Sequence, residues 1–498
     1  MPSDSGKAFG GAVVSAAKWS LVTQIVSKLV SPITTVVLAH ILAPEVFGIV
    51  ATVTMVTSFA EMFSDAGFQK YLIQHEYENY AEYQLSVNVA FWTNLAIALC
   101  LWILVIIFNG QIAVLVGNEG LGMVLVVACA SLPVVSLSSV QIAVYQRAFD
   151  YRRMFPARVG SAVVVMVVSV ALAFLGLGYW AMISGTICGN VFLAIQLARL
   201  SSWRPSIGYS WSMLRSMFSF SAWTLLEAFT IWLTSWAGTF VLGTVLSSTY
   251  LGMYKTSVSI VGAITGLATS AVNPIIFASL SRLQNSRPRF DAVFYSMQQY
   301  LALVLVPLAA SLFVFRDLIV FVALGQDWLE TSLFFGLYAA ASAVVVVFCH
   351  TAAEAYRALG RPRVSTLVQV LYLVILIPSL YFAASRGYGF FSVFIPFVRA
   401  MASTVINLAC CRLLIGLSPV RMFRAQLPLY GITLVVSLIC VVLVEWSNSY
   451  IAQAIIFIFA VISYVVLILL FKKTRSVFIE LLIRLGVSEK MINRLRLK

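Results

Sequence analysis

Four basic side chains stand inside long apolar runs of this sequence, at Lys18, Lys28, Lys255 and Arg399. A Lys or Arg at the centre of a bilayer costs about 2.5–3.5 kcal/mol on insertion scales, so it is expected to face a wet cavity or a partner. Lys28 and Arg399 lie near the middle of their runs. We predict that both contact a negatively charged ligand, Lys28 as a point charge and Arg399 through a planar fork. Lys18 and Lys255 lie closer to the run ends, where contact with the ligand and snorkelling to lipid headgroups both stay open.

Two carboxylates and one indole complete the set of side chains that could act inside these runs. Glu61 and Glu227 are predicted to serve in gating or ion coupling, with a structural ion pair to Lys18 or an Arg as the alternative. Trp232 lies deep in its run and is predicted to stack on a ligand, although Trp is also common at membrane interfaces. His350 lies four residues before Glu354, which predicts a packed pair on one helix face.

Composition places the chain among membrane proteins. Apolar residues make up 61% and charged residues 10% of the sequence, and the mean hydropathy is +0.98. The seven cysteines show no C-x-x-C pair, and the three histidines are scattered, so the sequence predicts no metal and no cofactor. The net charge of +14 is spread over many short loops, which argues against nucleic acid as a partner. No motif for nucleotide hydrolysis or nucleophilic catalysis appears, so no enzymatic activity is predicted.

A spanning helix needs roughly 20 mostly apolar residues. By that criterion the sequence predicts an all-α polytopic membrane protein with about fourteen transmembrane helices, at residues 12–41, 46–65, 84–108, 120–144, 158–176, 179–198, 217–244, 250–279, 297–315, 331–353, 364–384, 389–411, 427–445 and 450–471.

The basic residues between these spans are distributed unevenly. Only Arg316 and Arg386 fall on one side, and the remaining loop and tail cations fall on the other, where the amino end also lies. This asymmetry predicts that both termini are cytoplasmic. The gap at residues 65–82 is predicted to be cytoplasmic although it is acidic. Acidic residues contribute little to the rule that cytoplasmic loops are rich in Lys and Arg, so the assignment is kept. After the last span, residues 473–498 are predicted to form a basic amphipathic helix, lying on the inner membrane surface or binding a partner.

The chain also repeats itself weakly. Superposing each residue on the one 204 positions later aligns residues 37–48 with residues 241–252 without a gap, so that Gly48 falls on Gly252 and Lys28 on Trp232. Six spans separate the two copies, which predicts two lobes of equal orientation. We therefore predict a first lobe at residues 1–215, a second at 216–424, and two appended spans at 425–472.

These features carry a resemblance to a known family. The turn Leu42-Ala43-Pro44-Glu45-Val46-Phe47-Gly48, the basic loop with Arg147, Arg152 and Arg153, and the echo at Leu251-Gly252 look similar to polysaccharide-export flippases of the Wzx or PST type. These belong to the MOP superfamily, together with MATE exporters and lipid II flippases. The resemblance covers about residues 10–470. The second copy of the turn departs from the pattern, with Ser248-Thr249 in place of Pro44-Glu45, so the turn is expected to be structural.

The resemblance implies a bacterial inner-membrane transporter that moves an undecaprenyl-diphosphate-linked oligosaccharide from the cytoplasmic to the periplasmic leaflet by alternating access. It implies membrane lipids and other polysaccharide assembly proteins as partners, and the aromatic Trp232 would then stack on a sugar. Without a nucleotide site, the energy would come from a proton or sodium gradient, from consumption of the substrate at the far side, or from both.

Two other functions stay open at this stage. A MATE-like antiporter for cationic drugs would need acids deep in the membrane, whereas the deepest charges here are cationic. A membrane glycan polymerase or acyltransferase would need a large external loop for its chemistry, and the external gaps are short.

Overall fold

A computed structural model of the protein describes residues 3–65, 67–201, 203–447 and 449–484. All elements in these ranges are helical. Up to residue 245 they are α1 (Ser3–Ala39), α2 (Pro44–Asp65), α3 (Phe68–Gln74), α4 (Tyr80–Ile107), α5 (Asn109–Leu115), α6 (Gly122–Cys129), α7 (Ser131–Arg147), α8 (Tyr151–Phe174), α9 (Tyr179–Leu200) and α10 (Trp211–Val245).

The elements after residue 245 include one 3₁₀ and one π segment. They are α11 (Ser248–Ser281), α12 (Arg287–Val314), α13 (Arg316–Leu324), the 3₁₀ helix Gln326–Thr331, α14 (Ser332–Val345), the π-helix Val346–His350, α15 (Thr351–Ala358), α16 (Pro362–Ala384), α17 (Tyr388–Leu414), α18 (Pro419–Glu445), α19 (Tyr450–Leu470) and α20 (Lys472–Arg484).

The predicted polytopic fold is confirmed. Thirteen helices of the described chain are long and apolar enough to cross a membrane, and they coincide with thirteen of the predicted spans. The remaining predicted span, at residues 250–279, falls on α11, several side chains of which lie outside the described part of the chain. The count of fourteen therefore stays a prediction.

Several helices begin at polar caps that the sequence supplies. The Asn79 side chain accepts from the backbone N–H of Glu82 at 2.8 Å, and Asp150 accepts from that of Arg153 at 3.2 Å. Such bonds satisfy amide groups that have no partner within the first turn of a helix. The caps define where α4 and α8 begin.

A short helix occupies the acidic gap for which the sequence predicted only a loop. α3 buries Phe68, Tyr71 and Leu72, and Arg147 on α7 holds the carboxyl end of this helix. The guanidinium Nη1 donates to the carbonyl oxygens of Leu72 at 2.9 Å and His75 at 2.7 Å. Arg147 is thus a C-terminal cap, a structural role beyond its contribution to topology.

The ring of Tyr77 lies beneath the same guanidinium, whose carbon is 4.5 Å from the ring centroid. Burial raises the pKa of the Tyr77 hydroxyl, against the smaller opposing effect of Arg147. The phenol therefore stays neutral at physiological pH, and the contact is a cation–π interaction.

The described chain divides into two compact units, residues 1–255 and 256–498. The clusters of buried side chains in the first unit include one near Phe68 and Trp203 and one near Cys129 and Leu132. The second unit has a larger core, which includes Phe290, Phe348 and Tyr356. The lobe boundary at residue 215 stays a prediction.

Within the first unit, the two copies of the repeated turn meet reciprocally. A Cβ placed on Gly48 would lie 1.8 Å from the carbonyl oxygen of Ser248, and one placed on Gly252 would lie 1.9 Å from that of Pro44. Pro44 and Ser248 are themselves counterparts in the 204-residue repeat. Glycine is required at both positions because the backbones of α2 and α11 approach too closely for any side chain.

A buried amide joins the same region. The Asn118 Nδ2 group donates to Thr52 Oγ1 at 2.9 Å, and Asn118 Oδ1 accepts from Ser248 Oγ at 3.1 Å. The loop after α5 thus bonds to both α2 and α11. The predicted structural role of the turn agrees with this packing.

The helix α20 falls on the segment predicted to form the basic amphipathic tail. The apolar side chains of α20 (Val477, Phe478 and Leu481) pack against the core of the second unit, and Thr474 Oγ1 donates to the carbonyl oxygen of Ile468 at 2.9 Å. These three apolar side chains are therefore turned toward the protein, and the placement of α20 on the inner membrane surface stays a prediction. The rest of the predicted amphipathic segment, residues 485–498, lies outside the described residues.

We predict that Gly48→Ala destabilises the protein. The added methyl group would collide with the Ser248 carbonyl, and overpacking of this kind costs typically about 1–3 kcal/mol. The measurement is the melting temperature of the purified protein in detergent. Gly431→Ala on α18 is the matched control, because a Cβ there meets nothing within 4 Å. Equal melting temperatures for the two variants would contradict the reciprocal contact.

Candidate functional site

Arg399 lies on the wall of a cavity of about 220 Å³ inside the second unit. It follows Pro396 by three residues in α17, and its guanidinium carbon is 4.8 Å from the ring centroid of Tyr338 on α14. Stacking on the ring holds the guanidinium plane in one orientation. The cavity is lined by Gly262, Thr265, Gly266, Thr269, Tyr338, Ser342, Val345, Val346, His350 and Arg399.

The lining of this cavity, which we call the arginine cavity, is polar and carries positive charge without an acid. Thr265 and Thr269 come from α11, and Ser342 comes from α14. No Asp or Glu is among the described residues that line it. An anionic group entering the arginine cavity would meet the Arg399 guanidinium and no carboxylate among the described lining residues.

His350 is a member of this cavity that sequence reasoning missed. We expected it to pair with Glu354, but Glu354 instead forms an ion pair with Arg357, at 2.7 Å between Oε1 and Nη2. His350 is the last residue of the π-helix Val346–His350, and it lines the arginine cavity. No signal in the sequence marked the π-helix.

Lys255 has a different environment in the first unit. Its Nζ atom lies 3.5 Å from the centroid of the Trp236 ring, and the side chain is half-buried. A cation–π contact of this kind offsets part of the cost of placing an ammonium group within a span. The role of Lys255 in substrate binding stays a prediction.

The remaining predicted cations are described less completely. Lys18 is exposed on α1. The side chains of Lys28 and Glu227 lie outside the described part of the chain. The structure therefore brings Arg399 to a cavity and leaves the juxtaposition of Lys28 with Arg399 a prediction.

Trp232 uses its polar atom within the protein. Its indole Nε1 donates to Ser58 Oγ at 3.0 Å, and its ring lies 4.8 Å from that of Phe59 and 6.5 Å from that of Phe229. The side chain ties α10 to α2. Its predicted stacking on a ligand is not tested by these contacts, which already occupy much of the ring.

Glu61 lines a second cavity, of about 280 Å³, within the first unit. No Lys or Arg is among the described side chains of its wall, so the ion pair considered for Glu61 is not formed there. The wall is made by α2, α6, α7 and α9 and consists of Val50, Val53, Thr54, Thr57, Ser58, Glu61, Ala128, Ser131, Ile183, Thr186, Ile187 and Asn190.

Comparison with solved structures identifies the fold. The chain superposes on the lipid II flippase MurJ in an inward closed conformation with a TM-score of 0.75 and 13% identity, over 91% of this chain and 98% of that one. At this identity the match establishes the architecture and not the substrate.

Two curated relatives resemble the chain in sequence. The succinoglycan biosynthesis transport protein ExoT of Rhizobium meliloti (strain 1021) is 23% identical over 310 residues, which are 62% of each chain. The lipopolysaccharide biosynthesis protein WzxC of Escherichia coli (strain K12) is 18% identical over 321 residues, 63% of this chain and 64% of that one. The match spans less than two thirds of the length of either relative.

The family described as "Polysaccharide biosynthesis protein" matches residues 37–333. This region begins in α1, includes the repeated turns and ends in α14, so it takes in most of the elements described above. The resemblance drawn from the turn at Leu42 to Gly48 and the basic loop at Arg147 is thereby confirmed. The chain belongs to this polysaccharide biosynthesis protein family, with the fold of the lipid flippases.

Proposed function

We propose that this protein moves a lipid-linked, diphosphate-bearing oligosaccharide from the cytoplasmic to the periplasmic leaflet. The observation that carries the proposal is Arg399, a cation in the middle of a spanning helix that lines a polar cavity with no Asp or Glu among its described lining residues. The names of ExoT and WzxC, which refer to succinoglycan transport and lipopolysaccharide biosynthesis, support this substrate class.

The physical problem posed by such a substrate fits the arginine cavity. Sugars and a diphosphate cannot cross hydrocarbon, whereas a prenyl tail can remain in the lipid. The protein must therefore supply donors to the anionic headgroup at membrane depth. Arg399 places a guanidinium group at the cavity wall, in contact with the Tyr338 ring, and His350 adds a further polar group to the same wall.

We propose that transport proceeds by alternating access. The turns at Gly48 and Gly252 lie on the predicted external side and pack against each other, so they would have to separate for release to the periplasm. Lys28 is proposed to contact the same anionic headgroup, with Lys18, Lys255 and Trp232 as further contacts along the path.

Energy coupling is assigned to the carboxylates inside the spans. Glu61 has access to a cavity and no basic side chain among its described neighbours there, which suits a group that binds and releases a proton or a sodium ion. Glu227 is proposed as a second such group. Neither identifies the ion.

The charge asymmetry of the loops supports a location in the bacterial inner membrane with both termini in the cytoplasm. The lobes are proposed at residues 1–215 and 216–424, followed by the appended spans at 425–472 and the basic tail at 473–498. We propose transport without enzymatic activity, with membrane lipids and other polysaccharide assembly proteins as partners.

One observation favours a second candidate function. The Glu61 cavity carries a carboxylate and no cation in its described lining, as an antiporter for cationic drugs would require. Drug export and glycan export have different phenotypes, so deletion of the gene separates them.

A deletion strain is predicted to accumulate lipid-linked repeat units on the inner leaflet while its sensitivity to cationic drugs stays unchanged. The cause is loss of the only step that presents the repeat unit to the periplasm. Leaflet distribution is measured by access of an impermeant sugar-modifying reagent to spheroplasts and to lysed membranes. Normal glycan export in the deletion strain would refute the proposed function.

Arg399→Gln is predicted to lower glycan export about 10-fold or more at equal protein levels. A hydrogen bond to a charged group contributes about 1.5–3 kcal/mol, which corresponds to roughly 10–100-fold in affinity. Export is measured in the complemented deletion strain. Arg386→Gln is the matched control, because Arg386 packs on Phe382 at the external end of α16, away from the cavity lining. Unchanged export by Arg399→Gln would remove Arg399 from the site.

A further inference from the structure

The Glu61 cavity has hydroxyl groups on all sides, and the direction of their hydrogen bonds decides what they offer to a ligand. Thr54 Oγ1 donates to the carbonyl oxygen of Val50 at 2.7 Å, and Thr57 Oγ1 donates to that of Thr54 at 3.1 Å. Both hydroxyls lie on α2. Because a hydroxyl has one donor and two lone pairs, each of these oxygens is left with acceptor capacity.

The opposite walls repeat this arrangement. Ser131 Oγ on α7 donates to the carbonyl oxygen of Ala128 at 2.6 Å, and Thr186 Oγ1 on α9 donates to that of Met182 at 2.9 Å. The hydroxyl groups on α2, α7 and α9 therefore use their hydrogens within the protein. Their oxygen atoms remain available as acceptors at the wall of the same cavity.

The remaining polar atoms of the wall follow the same pattern with two differences. Ser58 Oγ donates to the carbonyl oxygen of Met55 at 2.9 Å and already accepts from the Trp232 indole. Asn190 carries an amide that can both donate and accept, and Glu61 adds a carboxylate acceptor. Acceptors thus outnumber donors in this cavity, which we call the acceptor cavity.

An organic ligand complementary to the acceptor cavity, as distinct from a coupling ion held by Glu61, must bring donors and no negative charge. Sugar hydroxyl groups meet that requirement, whereas a diphosphate or a uronic acid would face a carboxylate and hydroxyl lone pairs. The volume of about 280 Å³ is close to the lower end of ligand sites, which hold about 300–1,000 Å³, so it suits one or two sugar residues and not a whole repeat unit.

We propose that the acceptor cavity binds a non-anionic sugar residue of the oligosaccharide through its hydroxyl groups and thereby sets which glycan is exported. This inference rests on the proposed function. Under this proposal the first unit recognises the sugar. Arg399 in the second unit contacts the diphosphate, which all lipid-linked substrates share. Sites built to bond hydroxyl groups discriminate strongly, because an unmatched ligand leaves their buried polar atoms unpaired.

Two probe lipids test the proposal in proteoliposomes. Both are undecaprenyl-diphosphate-linked disaccharides, one ending in a neutral hexose and the other in the corresponding hexuronic acid. The initial flipping rate of each is measured by access of an impermeant sugar oxidant. Wild-type protein is expected to move the neutral probe at least 5-fold faster than the acidic one.

Removal of acceptors should change the ratio of the two rates. Thr57→Val and Ser131→Ala are expected to slow the neutral probe 5-fold or more and to leave the acidic probe within 2-fold of wild type. Arg399→Gln should slow both probes alike. Thr244→Val is the matched control, because Thr244 Oγ1 bonds its own helix, to Phe240 at 3.1 Å, and does not line the cavity.

A variant that adds a cation to the cavity tests the proposal in a way that misfolding cannot imitate. Thr186 is exposed on the cavity wall, so Thr186→Lys is expected to raise the acidic probe relative to the neutral one at least 5-fold. Misfolding cannot produce a gain of that kind.

Three results would overturn the inference. The first is an equal loss of both rates in Thr57→Val and Ser131→Ala, and the second is an unchanged ratio in Thr186→Lys. The third is an effect of these variants seen only as a shifted dependence on sodium or pH, which would make the cavity an ion site. Failure of the wild-type protein to move either probe would instead count against the proposed function itself.

Discussion

A charged group inside a bilayer needs polar surroundings that the lipid cannot supply, and this requirement organises the protein. The structure meets it in three ways. Arg399 lines a polar cavity and stacks on Tyr338, Lys255 lies over the ring of Trp236, and Arg147, at the end of its span, donates to backbone carbonyls of α3. Of these three cations, Arg399 lines a described cavity, which is why it carries the functional proposal.

The two cavities differ although the chain repeats itself. The arginine cavity in the second unit presents a guanidinium and an imidazole, whereas the acceptor cavity in the first presents hydroxyl oxygens and the Glu61 carboxylate. The repeat already shows such divergence in sequence, since Trp232 is the counterpart of Lys28. A lipid-linked oligosaccharide is itself asymmetric, with a diphosphate at one end of a chain of sugars. After duplication, one copy could have gained a cationic cavity and the other a cavity lined by acceptors. Each end of the ligand would then have a complementary binding site.

The sequence predicted the spanning helices well because length and hydropathy suffice when lipid is the solvent. It also predicted that Arg399 would be functional, since depth alone makes a cation there costly. What it missed depends on packing between distant segments. Arg147 caps α3 from a distant helix, and His350 lines the arginine cavity at the end of a π-helix. The acceptor cavity could not be predicted from the sequence, because Ser and Thr are common in membrane helices. Only the packed helices show that these residues line one cavity.

The reciprocal turns show how a tightly packed contact can still be compatible with movement. Gly48 and Gly252 bring backbone against backbone, and Asn118 adds hydrogen bonds to Thr52 and Ser248. The two glycines themselves contribute no apolar side chain to this contact, and stabilisation by burial scales with apolar area, at roughly 25 cal/mol per Å². The polar groups of the contact can exchange their bonds for bonds to water on the side where the loops lie. Small residues therefore combine a well-defined closed geometry with a low cost of separation, which is what alternating access demands of the segments that open.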